Sequence, residues 1–224
     1  LATAADAANT VTAAVPEKVS YLDFLLKGGI MIYPLIVLLF FCIYVIIERY
    51  LAIKKMTKQD PNIVTDIKQQ LKNGKLENAV MLTRRDSTSS SAILHSGVSL
   101  VGSSRVGDIE SIMERTAGIE IAKMEKGLGY LGLISGIAPI LGFIGTIAGV
   151  IKIFHAISAT GNLNIQTISG GLYEKMISSG AGLVVGVVAY SGYHLFNMMI
   201  DSYSAKMEKE ILDIIHAIQD PNGH

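Results

Sequence analysis

The sequence predicts an all-α membrane protein with three transmembrane helices, and three observations support that prediction. Half of the 224 residues are hydrophobic and only 17% are charged, whereas soluble domains carry about 25% charged residues. Three apolar stretches, at 30–47, 128–154 and 171–200, are long enough to cross a bilayer as helices. The second and third are rich in glycine, which is typical of helices that pack closely in lipid.

Charge and cysteine usage argue against several classes of protein. The 19 basic and 19 acidic residues balance, which argues against a nucleic-acid-binding surface. Cys42 is the single cysteine, and the five histidines show no metal-ligand spacing. No nucleophile and base stand in a recognisable pattern. We therefore expect no metal, no cofactor and no enzyme activity.

The N-terminal segment, residues 1–29, is expected to lie in the periplasm. Its first part is small and polar and lacks the charged start and apolar middle of a signal peptide. Leu1 is either the end left by cleavage of such a peptide, which we favour, or an artificial start of the chain.

The first transmembrane helix is predicted at 30–47. Pro34 lies near its beginning, where a helix tolerates proline best. Lys54, Lys55 and Lys58 follow the span, so the positive-inside rule directs this helix from the periplasm to the cytoplasm.

Residues 48–127 are predicted to form a cytoplasmic helical region. Apolar residues recur at helical spacing in three short groups, which begin at Ile63, Leu76 and Ile93, and 86–91 reads as a loop or an N-cap. From Asp108 onward the pattern predicts one helix that enters the membrane near Leu128 without a break.

The remaining elements complete the topology. The second transmembrane helix is predicted at 128–154, with a kink at Pro139, and the third at 171–200. The polar stretch 155–170 between them is expected to be a periplasmic loop, because it has few positive charges. Residues 201–224 are predicted to be a cytoplasmic helix and tail. The second helix, through the stretch from Asp108, and the third, through 201–224, are therefore both expected to extend far into the cytoplasm.

Five glycines are predicted to form helix-packing faces. Each costs a helix about 1 kcal/mol relative to alanine, so their presence needs a reason. In a membrane that reason is close approach of another helix backbone. The residues are Gly142, Gly145 and Gly149 in the second span, and Gly182 and Gly186 in the third.

Glu174 and Lys175 interrupt the start of the third span. An ionisable group at membrane depth marks a functional site and faces the interior of a bundle. The alternative is that both side chains extend to the outer interface, which we expect of Lys175. Lys152 near the outer end of the second span could also pair with Glu174, which would be a structural role.

Thr146, Ser178 and Ser179 supply hydroxyl groups on the same two spans. Such hydroxyls commonly bond a backbone carbonyl or a neighbouring helix. Alternatively, they line a conduit. Two spans that each carry a small, hydroxyl-bearing face, with a carboxylate at the rim, either pack against each other or surround a polar lumen.

No Asp or Glu lies in the middle of any predicted span. A protein that moves protons by binding and releasing them needs a titrating group at membrane depth. If this chain works with protons, we expect the carrier carboxylate to belong to a partner helix.

Two stretches resemble the signatures of the MotA, TolQ and ExbB family of proton-driven motor subunits. APILGFIGTIAGVIKIF is similar to the second-span signature through Ala138, Pro139, Gly142, Gly145, Thr146 and Gly149. GLYEKMISSGAGLVVGVVA is similar to the third-span signature through Glu174, Gly182, Leu183 and Ala189. Three positions depart from the family: Ser179 replaces a threonine, Val188 replaces a proline, and Lys175 stands where a small residue is common.

The resemblance implies a ring of five such chains, a homopentamer, in the bacterial inner membrane. Its pore would enclose a dimer of single-span partners of the ExbD kind, each supplying a membrane aspartate. Thr146, Ser179 and Glu174 would face that pore, and the hydroxyl pattern adds Ser178.

The expected function is a motor subunit that energises TonB-dependent transport across an outer membrane, with a TonB-like protein as a further partner. Three spans and a polar N-terminal extension favour the ExbB type. Two alternatives remain: a TolQ-like or gliding-type motor, and a membrane scaffold that conducts nothing.

Overall fold

The computed structural model describes residues 29–58, 61–161 and 165–219, and these form seven helices. The helices are α1 (Ile32–Thr57), α2 (Ile63–Lys72), α3 (Leu76–Thr83), α4 (Ser89–Val98), α5 (Val106–Glu125), α6 (Leu128–Thr160) and α7 (Ile165–Gln219). Three stretches are long and apolar enough to cross a membrane: Ile32–Thr57, Leu128–Ala159 and Ile168–Gln219. The predicted all-helical class and three candidate spans are confirmed, and the ring of five chains stays a prediction.

The chain divides into two compact units. The first unit comprises Leu1–Ile36 and Pro139–Val184, and the second comprises Val37–Ala138 and Val185–His224. Each of α1, α6 and α7 contributes residues to both units. The short helices α2 to α5 belong to the second unit alone.

Helix α1 begins as the sequence predicts, with Pro34 in its first turn. Cys42, Val45 and Ile53 are buried and recur on one side of the helix. The opposite side leaves large apolar residues exposed, such as Phe40 at 68%. An exposed apolar surface of this kind is stable only in lipid or against another protein.

The short helices α2 to α4 form close to where the sequence predicts them, although α4 begins at Ser89 and not at Ile93. Helix α2 ends at Lys72, Asn73 is its C-cap, and Gly74 follows with a positive φ of 69°. Helix α4 begins at Ser89 after Thr88, whose side-chain oxygen accepts a hydrogen bond from the Ser91 backbone amide. That contact gives the stretch before α4 the capping role expected of it.

The predicted continuous helix from Asp108 into the second span is wrong. Helix α5 ends at Glu125 and α6 begins at Leu128, with Gly127 between them at φ 91°. The guanidinium of Arg49 in α1 donates a hydrogen bond to the Lys126 carbonyl oxygen at this break. A contact with a distant helix therefore stabilises an interruption that helical periodicity cannot reveal.

The two long helices extend into the stretch that we expected to be a loop, residues 155–170. Helix α6 continues to Thr160, passes through Pro139 without interruption, and α7 begins at Ile165. Helix α7 has 55 residues, more than twice the roughly 20 that a bilayer crossing needs. It therefore joins the predicted third span and the predicted cytoplasmic helix in one element.

Candidate functional site

The candidate site lies in the first unit, where α6 and α7 contact each other through small residues. A Cβ added to Gly142 would lie 3.0 Å from the carbonyl oxygen of Ser179 and 3.2 Å from that of Ser178. The two backbones are therefore in direct contact at this position. Gly145 and Gly149 are also buried, as are Gly182 and Gly186 on α7.

Thr146 links the two helices by hydrogen bonding. Its Oγ1 donates to the carbonyl oxygen of Gly142 in its own helix and to that of Lys175 in α7, each at 3.3 Å. The side chain is half-buried. In the single chain this hydroxyl thus bonds backbone carbonyl oxygens, which is the structural alternative to lining a conduit.

Ser178 and Ser179 differ in their surroundings. Ser178 is 0% exposed, and its Oγ has no hydrogen-bond partner among the described residues. A Cβ added to Gly145 would lie 2.9 Å from that Oγ. Ser179 is half-buried and contacts Gly142 through its backbone. A buried hydroxyl that lacks a partner is costly, which makes Ser178 the most notable polar group of the site.

Glu174 forms an ion pair with Lys175, and not with Lys152, which the sequence offers as a possible partner. Lys175 Nζ lies 2.6 Å from Glu174 Oε1. The side chain of Lys152 is exposed, and among the described residues it makes no ion pair. The difference arises because Lys175, which the sequence predicts to extend to the interface, instead lies across α6. Its stem occupies the space that a side chain at Gly149 would take.

The structure therefore brings together a carboxylate, an ammonium group and three hydroxyl-bearing residues at one helix crossing. Glu174, Lys175, Ser178 and Ser179 follow one another within two turns of α7, and Thr146 reaches them from α6. Ionisable and polar groups at membrane depth mark a candidate proton pathway. They occupy the beginning of the third span, so this set alone does not provide a titrating group at its middle.

A second polar cluster lies in the second unit, and sequence reasoning missed it. Ser89 Oγ donates to Glu120 Oε2 at 2.8 Å, and Ser90 Oγ donates to Glu210 Oε2 at 2.6 Å. The hydroxyl of Tyr203 lies 3.1 Å from Ser90 Oγ. All five residues are buried, with Glu120 and Glu210 only 6% and 7% exposed.

A signal for this cluster was present in the sequence. Glu210 falls between Met207 and Ile214 on the side of α7 that is otherwise apolar. A carboxylate on such a face is stable only with hydrogen-bonding partners. The sequence predicts a loop or an N-cap at 86–91, whereas Ser89 and Ser90 lie in the first turn of α4 and supply those partners.

The chain is similar to known proteins in the region that holds the site. The family profile described as the MotA/TolQ/ExbB proton channel family matches residues 85–209. The biopolymer transport protein exbB1 of Vibrio cholerae is 30% identical over 121 residues, which is 52% of this chain and 53% of that protein. The biopolymer transport protein ExbB of Salmonella typhimurium is 32% identical over 108 residues, covering 45% of this chain and 44% of that protein.

More distant similarity covers more of the chain. A putative biopolymer transport protein, an ExbB homolog of Methanothermobacter thermautotrophicus, is 24% identical over 189 residues, 84% of this chain and 66% of that protein. Against the Vibrio and Salmonella proteins, the chain spans about half the length of the relatives it matches. The family match includes α6 and most of α7 and extends over more than half of the 224 residues. The chain belongs to the MotA/TolQ/ExbB proton channel family.

Proposed function

We propose that this chain is the inner-membrane proton-channel and motor subunit of an ExbB-type complex. The observation that carries the proposal is that, in a chain of this family, α6 contacts the turns of α7 that carry Glu174 and Ser178. Thr146 bonds the Lys175 carbonyl oxygen there, and Ser178 Oγ lies against Gly145. Proton-motive force would drive movement of a partner, and that movement would energise TonB-dependent transport through an outer membrane.

The proposed proton carrier belongs to a partner. The predicted spans 30–47 and 128–154 contain no Asp or Glu, and 171–200 contains Glu174 alone, near its start. Transfer across the whole membrane needs a titrating group deeper than that. An ExbD-like dimer of single-span proteins, each with a membrane aspartate, would supply it inside a homopentamer of this chain.

Packing alone is the competing function, and one observation favours it. Thr146 directs its hydroxyl to the carbonyl oxygen of Lys175, as a structural hydroxyl would do. A membrane scaffold that conducts nothing would use the α6–α7 crossing in this way. A TolQ-like or gliding-type motor would use the same site for a different partner. The neighbouring gene distinguishes the two kinds of motor: a TonB-like protein would indicate the ExbB type, and a TolA-like protein the TolQ type.

The mutational test separates motor from scaffold. We expect Glu174→Ala and Thr146→Val to leave assembly intact and to abolish uptake of iron complexes by the host cell. Glu208→Ala is the matched control, since Glu208 is an exposed acid on the same helix, and it should leave uptake unchanged. Normal uptake in both site variants would support the scaffold instead.

The composition of the complex is tested by native mass spectrometry after purification through this chain. Five copies of the chain with two copies of a small single-span protein would support the proposed motor. A monomer or dimer that persists in mild detergents would contradict it.

A further inference from the structure

Lys175 is a charged side chain at the site for which the proposed function has no role. Its side chain is only 18% exposed. A Cβ added to Gly149 would lie 2.1 Å from Lys175 Cγ and 2.4 Å from both Cδ and Cε. The stem therefore lies in a notch of α6 that exists because residue 149 has no side chain.

The two charges of the ion pair are both held in position. Lys175 Nζ lies 2.6 Å from Glu174 Oε1. A Cβ at Gly29 would lie 2.2 Å from the same Oε1, and Gly29 has a positive φ of 74°. Glycine at 29 and at 149 thus makes room for the carboxylate and for the lysine stem, respectively.

Further oxygen atoms lie on the same stretch of α7 and on the turn of α6 that faces it. The Lys175 carbonyl oxygen accepts a hydrogen bond from Thr146 Oγ1, and Ser178 Oγ, one turn further along α7, is buried without a partner among the described residues. Carboxylate and hydroxyl oxygens are ligands that hard cations bind, and the Glu174 carboxylate is the one that the Lys175 ammonium group contacts.

We infer that Lys175 is a specificity-determining residue, whose ammonium group occupies the cation position beside Glu174 and excludes Na⁺ from it. This inference rests on the proposed function, in which the site is part of a proton pathway. A tethered ammonium cannot diffuse away, and it repels a second cation strongly where water is scarce. A proton can pass between hydroxyl oxygens without occupying that position, so the pathway would be restricted to protons.

The test is equilibrium binding of radioactive sodium to the complex purified through the full chain. Lys175→Met keeps an unbranched stem for the Gly149 notch and removes the charge, and Lys175→Gln serves in the same way if the Met variant does not fold. We expect the neutral variant to bind Na⁺ on the order of a hundredfold more tightly than the wild type, because a like charge is removed from the site.

Three further variants make the result specific. Lys175→Arg should behave as the wild type, since it retains the positive charge. The double variant Glu174→Gln with Lys175→Met should lose the gained binding, since it lacks the carboxylate ligand. Lys209→Met, at an exposed lysine on the same helix, should gain no binding.

Folded Lys175→Met or Lys175→Gln complexes whose Na⁺ affinity equals that of the wild type would overturn the inference, as would equal gains in the Lys209 control. The binding measurement uses no ion gradient and no transport activity. A wild-type complex that fails to conduct protons in vesicles would therefore refute the proposed function separately, without deciding what Lys175 does.

Discussion

Ser90 Oγ donates a 2.6 Å hydrogen bond to Glu210 Oε2, although the two residues are 120 positions apart in the chain. The bond joins the first turn of α4 to the last third of α7 inside the second unit. Tyr203, about two turns before Glu210 on α7, places its hydroxyl 3.1 Å from the same serine oxygen. The short helix α4 is thus hydrogen-bonded to the helix that also contributes the third candidate span.

We expect Ser90→Ala to destabilise the second unit. The substitution removes a hydrogen bond to a buried carboxylate, which costs about 1–3 kcal/mol. Thermal unfolding of the purified full chain should therefore begin at a lower temperature. Ser103→Ala is the control, because Ser103 is exposed and bonds only the carbonyl oxygen of Leu100 in its own turn. Equal unfolding temperatures for both variants would show that the Ser90–Glu210 bond contributes nothing to stability.

The break between α5 and α6 yields a second prediction. Gly127 has a φ of 91°, and a residue with a Cβ pays about 1–2 kcal/mol in the left-handed region. Gly127→Ala should therefore lower the free energy of unfolding, as measured by circular dichroism during urea titration.

Gly129→Ala is the matched control for that experiment. Gly129 is helical, and a Cβ there would meet nothing within 4 Å, so alanine should stabilise the chain by up to about 1 kcal/mol. If Gly127→Ala were instead stabilising and raised the helix content, the chain would have adopted the continuous helix that its periodicity predicts.

The α6–α7 crossing yields a third prediction. A Cβ at Gly142 would lie 3.0 Å from Ser179 O and 3.1 Å from Ser179 Cα, and backbone atoms cannot turn aside as a flexible side chain can. We expect Gly142→Ala to separate the helices locally at a cost of about 1–3 kcal/mol. The measurement is thermal unfolding in detergent.

Gly180→Ala provides the comparison for the crossing, since Gly180 is exposed on α7 and a Cβ there would meet nothing within 4 Å. It should not destabilise the chain. Similar losses of stability in both variants would mean that the cost comes from some property of glycine in these helices, and not from the contact with Ser179.

The sequence predicts which small residues share a face of α6, but not which side chain pairs with Glu174. The small residues Gly142, Gly145 and Gly149 follow the helical repeat, so a shared packing face was visible in the sequence. The partner of Glu174 was not visible, because residues adjacent in a helix point in different directions. Lys175 reaches Glu174 only because its stem can lie across Gly149 of another helix.

The all-α class, the three candidate spans and the positions of most helices can be predicted from the sequence. These follow from hydropathy and from the 3.6-residue repeat, which are local properties of the chain. The break at Gly127, the ion pair of Glu174 with Lys175 and the burial of Glu210 beside Ser90 became visible in the folded chain alone. Each of these depends on a contact between helices, and such contacts become favourable only when folding brings distant parts of the chain together.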